Sequence, residues 1–156
     1  MKRCYGILAA AVVLVFTGCA SAPRPSQQLA LVTTHAPQSA PAASLANGRS
    51  IFQTGRDLQG KQIVAQRRPL MSRCAACHGV SGAGGLHLPG GAVSADLRYK
   101  TLVLGQRRPY TLALLERAIS RGIDDDGDTL NPVMPRWRLS QQDLHDVAYY
   151  VLHHLK

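Results

Sequence analysis

Cys74-Ala75-Ala76-Cys77-His78 is the stretch on which the reading of this chain turns. C-x-x-C-H is the attachment signature of c-type haem. Two thiols one helical turn apart reach the two vinyl groups on one edge of a porphyrin, and the next residue places an imidazole beneath the iron. Cys74 and Cys77 would then hold the macrocycle as thioethers, with His78 as proximal ligand. Competing chemistries fit less well. A structural zinc site needs four ligands, and no second C-x-x-C supplies the fourth. A thioredoxin-like pair needs a βαβ context, which the pattern lacks. A plain disulfide remains the bland alternative in an oxidising compartment.

Outward from that motif, Met134 is the candidate second axial ligand. It lies in Asn131-Pro132-Val133-Met134-Pro135-Arg136-Trp137, 56 residues after His78 and just before the last helical pattern. A thioether on the opposite face of the iron completes His/Met ligation, and Pro135 biases the ligand's backbone towards extended geometry. His87 is the competing nitrogen donor. Met71 is three residues before Cys74 and belongs to the attachment face. His145, His153 and His154 lie on or past the terminal helix and read as surface residues.

The local patterns around the site are helical. Asn47 to Thr54 reads as a short helix with Ile51 and Phe52 inward, stopped at Gly55. Thr111 is the expected N-cap of a helix carrying Leu112, Leu115, Ala118 and Ile119 and ending at Gly122. Ser140 with Asp143 forms a capping-box pattern, flanked by Leu139 and Leu144. Leu144, Val147, Ala148, Val151, Leu152 and Leu155 then recur with helical period. GVSGAGGLHLPGGAVS is a loop by composition, and no run alternates as a strand.

The beginning of the chain reads as an address. Lys2 and Arg3 precede a twelve-residue apolar run, Tyr5 to Phe16, the length of a signal h-region. Phe16-Thr17-Gly18-Cys19 resembles a bacterial lipobox, with Phe16 in place of the usual Leu. It implies a signal over residues 1–18 and a lipid on Cys19. Ordinary cleavage after Ala20-Ser21-Ala22 is the rival, with Pro23 disfavouring it, and an uncleaved anchor is the remaining alternative. Ala20 after the cysteine is similar to outer-membrane lipoproteins. Cys4 would leave with the signal. Residues 19–46 are the lipidated Cys and a spacer rich in Ala, Pro and Ser, with a random-coil reach of about 30 Å; His35 in it reads as solvated. Residues 47–156 are the globule.

Composition bounds the rest. A chain of 156 residues with 5% aromatics has room for one modest core, so a bound hydrophobic group is worth seeking. It has no room for a multidomain enzyme, and no 18-residue apolar run follows residue 20, which excludes a polytopic membrane protein. The net charge is +9. Fifteen basic and nine acidic residues fall in 47–156, so the globule itself is +6, or about +4 with two propionates added. Arg67, Arg68, Arg107 and Arg108 are candidates for a docking patch. Asp124 to Asp128 (DDDGD) contains D-x-D-x-D, but Gly127 is misplaced for an EF-hand and no Glu closes the loop; a solvated acidic turn is expected rather than a calcium site.

Gly48-Arg49-Ser50-Ile51-Phe52, CAACHG and MPRW-x-LS-x-x-DL-x-DVAYYVL together resemble the class I, monohaem cytochromes c over residues 46–155. The resemblance implies an all-α fold, with helices and Gly/Pro-rich loops wrapped around one covalent haem c. It implies that the Pro89 carbonyl accepts the His78 imidazole N–H, and that Trp137 and Tyr99 pack on or hydrogen-bond a propionate, with Arg98 assisting electrostatically. Gly55 to Arg73 departs from the family pattern as an inserted loop or short hairpin. The expected function is a periplasmic, lipid-tethered electron carrier with no substrate at the iron. Its partners would be redox proteins with acidic surfaces, and it would bind no nucleic acid. A haem subunit of an exported dehydrogenase and a haem-based sensor are the alternatives.

Overall fold

The computed structural model describes residues 42–156. The signal reading of residues 1–18, the lipid on Cys19 and the spacer up to residue 41 lie outside the described residues. The order is α1 (Leu45–Thr54), β1 (Val64–Ala65), α2 (Ala75–His78), a 3-10 turn at Pro89–Gly91, a π-helical turn at Lys100–Leu104, α3 (Leu112–Arg121), β2 (Trp137–Arg138) and α4 (Gln141–His154). The all-α expectation holds, with two paired two-residue strands added to it.

The caps explain where the helices begin. Thr111 accepts from Leu114 N–H, and Ser140 accepts from Asp143 N–H while its own hydroxyl donates to the Asp143 carboxylate. α1 starts two residues before the expected Asn47, because Ser44 caps it by accepting from Asn47 N–H. Gly122 ends α3 in the left-handed region, φ 69°.

α1 and α4 cross closely and form the base of the core. Ile51, Phe52 and Ala148 are fully buried and Val147 is nearly so. The Phe52 and Tyr150 rings meet tilted, with centroids 5.7 Å apart. One carboxylate, Asp146, is buried in this apolar contact at 1% exposure. It is fully partnered: it accepts from Ser44 N–H at 2.8 Å, Asn47 Nδ2 at 2.8 Å and Gln142 Nε2 at 2.7 Å. An unpaired charge there would be costly; this one ties the entry of α1 to α4.

The 55–73 insertion is a small hairpin followed by a strand. Arg56 and Gln62 bridge antiparallel, and Asp57 Oδ1 holds the turn by accepting from Gln59 and Lys61 N–H. Val64–Ala65 then pairs with Trp137–Arg138, just past Met134. The strands are too short for alternation to reveal them in the sequence.

Candidate haem site

The cysteine motif forms a single helical turn. Alanines at 75 and 76 favour it. His78 N–H donates to the Cys74 carbonyl at 3.0 Å, Gly79 N–H donates to Ala75 at 2.9 Å, and the helix stops there. Both thiols therefore stand on one turn with the imidazole beside them. Cys74 and Cys77 are not disulfide-bonded. Desolvation pushes the Cys74 thiol up to about 12 and raises Cys77 as well, so both are protonated at neutral pH before attachment.

His78 is buried, 8% exposed. Its Nδ1 lies 2.8 Å from the Ala95 carbonyl oxygen. A carbonyl can only accept, so Nδ1 carries the proton and the Nε2 lone pair is free for a metal. Burial lowers the His78 pKa, against a smaller raising effect of the Ala95 bond, which keeps the ring neutral. The partner is thus Ala95, not Pro89. The reason is local: Gly85 to Ser94 make a hairpin-like excursion, closed by Gly85 N–H to Ser94 O and Ser94 N–H to Leu86 O. Pro89 sits at its tip, and the chain meets the His78 ring only after returning, at Ala95. Gly84 permits the approach, at φ 65°, where a Cβ would fall 2.3 Å from the Ala95 oxygen.

A cavity of about 420 Å³ opens beside this turn. Cys74, Cys77, His78, Met134 and Trp137 all line it. Its walls are mostly apolar: Phe52, Val147 and Val151 from the α1–α4 pair, Leu115, Ala118 and Ile119 from α3. The size is within the usual range for cofactor pockets. Two thiols, a neutral imidazole with a free Nε2, a thioether and apolar walls are the donor set and surroundings that haem c requires, so the residues fit the group.

Other expected site residues fall outside the cavity wall. Arg98 is bound to Asp96, with Nε 2.9 Å from Oδ1 and a second contact of 2.6 Å from Nη2 to Oδ2; this pairing holds the Asp96 carboxyl well below the usual carboxylate range. Tyr99 is 42% exposed and faces a separate surface hollow with Lys100, His153 and Lys156. Neither reaches the cavity, because the Asp96–Arg98 pairing and the π-helical turn direct them away from it. His87 is exposed in a bridge with Val93 and does not line the cavity. Met71 lines the cavity. His145 is half-buried and paired with Glu116 at 2.9 Å rather than solvated; His153 and His154 are exposed.

The acidic turn is not fully solvated as expected: Asp125 is 7% exposed, and Asp124 and Asp125 line the cavity. Asp124 Oδ1 accepts from Gly127 and Asp128 N–H, and Asp126 pairs with Arg107 and Arg108. Among the described residues no group of three or more His, Cys, Asp or Glu is placed to hold a metal ion. Arg107 and Arg108 thus face carboxylates of their own chain, whereas Arg67 and Arg68 are exposed and enter none of the ion pairs among the described residues.

Two contributors are invisible to sequence reasoning. The Ala95 carbonyl is a backbone group and has no residue-type signal. Arg136 is adjacent to the methionine segment, yet nothing in MPRW says that its guanidinium turns back on the loop.

The family model described as Cytochrome c matches residues 45–155. A search of curated proteins found no match. Among solved structures, the chain is similar to oxidised SHP, an oxygen-binding cytochrome c, at 16% identity over 70% of this chain and 80% of that one, with a TM-score of 0.39. It is also similar to the solution structure of Methylophilus methylotrophus cytochrome c'', at 17% identity over 74% and 78% of the two chains, with a TM-score of 0.40.

Proposed function

The chain belongs to the cytochrome c family, and on that premise we propose that it is a periplasmic, lipid-tethered carrier passing single electrons between protein partners through a haem ligated by His78 and Met134. The family carries haem c covalently and uses it for electron transfer or gas binding. The observation that favours electron transfer is that Met134 and His78 line one cavity from separate segments. Two protein ligands leave no open position for a substrate or gas. Bound there, the haem supplies a one-electron Fe(III)/Fe(II) couple, and a thioether ligand favours the reduced form.

The chain's own residues do the remaining work. The Ala95 carbonyl fixes the His78 ring and raises its basicity as a ligand. Phe52, Leu115, Ile119 and Val151 exclude water from the cavity. Arg73 lines the cavity, and with the exposed Arg67 and Arg68 before it in the chain it would steer an acidic redox partner, at rates that fall with added salt. The tether rests on the Phe16-Thr17-Gly18-Cys19 pattern, and it raises the local concentration of the carrier at a membrane, the outer membrane being favoured by Ala20.

Met134→Ala tests the ligand reading. The ferric protein should lose its long-wavelength sulfur-to-iron absorption, and its reduction potential should fall by on the order of 0.1 V, within the roughly 0.8 V that axial ligands span. The reduced protein should take up carbon monoxide readily. An unchanged ferric spectrum means that another group is the ligand. Cys19→Ser tests the tether separately: the holoprotein should move from the membrane fraction to the soluble periplasmic fraction, and retention in the membrane would contradict lipidation at Cys19.

A further inference from the structure

We propose that Arg136 is a positioning residue for the Met134 thioether, its guanidinium clamping the Leu130–Met134 segment to the carboxyl end of α3. The inference rests on the reading of Met134 as axial ligand.

The segment that presents Met134 is poor in hydrogen-bond donors. Pro132 and Pro135 have no N–H. Within the loop, Met134 N–H donates to Asn131 O at 3.0 Å and Val133 N–H to Asn131 Oδ1 at 3.0 Å. Arg136 supplies what is missing. Its Nη2 donates to Leu130 O at 2.7 Å and reaches Gly122 O at 3.5 Å. Its Nη1 donates to Asn131 O at 3.2 Å and to the Met134 carbonyl. One planar group thus holds four carbonyls: the left-handed cap of α3, the start of the loop and the ligand residue itself.

This is a built seat. A Cβ on residue 122 would lie 1.9 Å from Arg136 Nε and 2.1 Å from Cζ, so the guanidinium occupies the space that only glycine leaves. The cation lies at the negative end of the α3 dipole. No carboxylate pairs with it among the described residues. Its backbone is anchored from the other side, because Arg136 O accepts from Gln66 N–H at 2.8 Å, at the end of the β1–β2 ladder. The insertion therefore holds the backbone of the residue whose guanidinium holds the loop. A lysine offers three donors on a single nitrogen and cannot span carbonyls spread along the edge of a planar fork.

Arg136→Lys and Gly122→Ala, each as the haem-loaded protein, test the proposal beside Met134→Ala. Arg136→Lys keeps the charge and loses the fork; Gly122→Ala keeps the arginine and displaces it. Both should retain covalent haem and helical circular dichroism. Both should show a weakened sulfur-to-iron band and carbon monoxide affinity raised about tenfold, the size expected for losing a charge-assisted hydrogen bond that holds the ligand. Wild-type band and affinity in both variants, in an assay where Met134→Ala abolishes the band, would overturn the role of Arg136 alone. A Met134→Ala protein that keeps the band would overturn the ligand reading and the proposal with it.

Discussion

A Cys74→Ala/Cys77→Ala protein is expected to mature with no covalent haem, and Cys77→Ala alone with the group held by one thioether at a small fraction of the wild-type yield. Cys74 and Cys77 are the free cysteines of the described residues, so no other thiol among those residues can substitute. The consequence reaches the fold. The cavity of about 420 Å³ is walled by Phe52, Leu115, Ile119, Trp137 and Val151, which are also core residues. With two Phe and one Trp in the chain, the core is modest, and the bound group supplies much of what its walls bury. A group that binds only the native state stabilises it by mass action, and a covalent one cannot be diluted away. The double variant should therefore also lose cooperative thermal melting by circular dichroism. Mass spectrometry of the intact protein, expressed in a host able to attach haem, reads the first result. A double variant carrying the macrocycle at wild-type yield would exclude attachment at these residues.

Much of the fold and the site is legible in the sequence, and the reason differs by feature. Ser140 and Thr111 cap helices through their own side chains, a local matter decided within four residues. The cysteine motif is likewise contained in one turn. Met134 is remote in sequence, but two prolines mark its segment. The failures are all non-local or carried by the backbone. The family resemblance implies Pro89, but the Gly85–Ser94 excursion inserts a detour that composition alone does not measure. Arg98 has the right charge for a propionate, yet Asp96 two residues away takes its guanidinium first. Arg107 and Arg108 are basic in the sequence and partly neutralised in space, because the acidic turn folds onto them. The 55–73 insertion joins the attachment turn to the strand after Met134 by four paired residues, too few for a period of two to register.

Gly48→Ala is the substitution with the largest expected effect on folding that leaves every haem-contacting residue in place. Two effects oppose each other. Removing a glycine from the interior of α1 gains about 1 kcal/mol of helix propensity. Against this, a Cβ at residue 48 would lie 2.1 Å from the Asp146 carbonyl oxygen and 2.8 Å from Tyr150 Cβ. The first obstacle is backbone, so no rotamer change relieves it, and α1 must move away from α4. Overpacking that flexible side chains absorb typically costs about 1–3 kcal/mol. Here the separation would also loosen the Phe52–Tyr150 contact and the bonds from Ser44 and Asn47 to Asp146. The clash outweighs the propensity, and a net loss of about 3 kcal/mol is expected, roughly 10 °C or more in the melting temperature of a domain this size. Phe52, Val147 and Val151 carry the disturbance to the cavity wall, so the haem absorption should broaden as well. Thermal melts of the holoprotein decide the sign: a Gly48→Ala protein as stable as the wild type would mean that propensity prevails and that the two helices do not approach as closely as Gly48 allows.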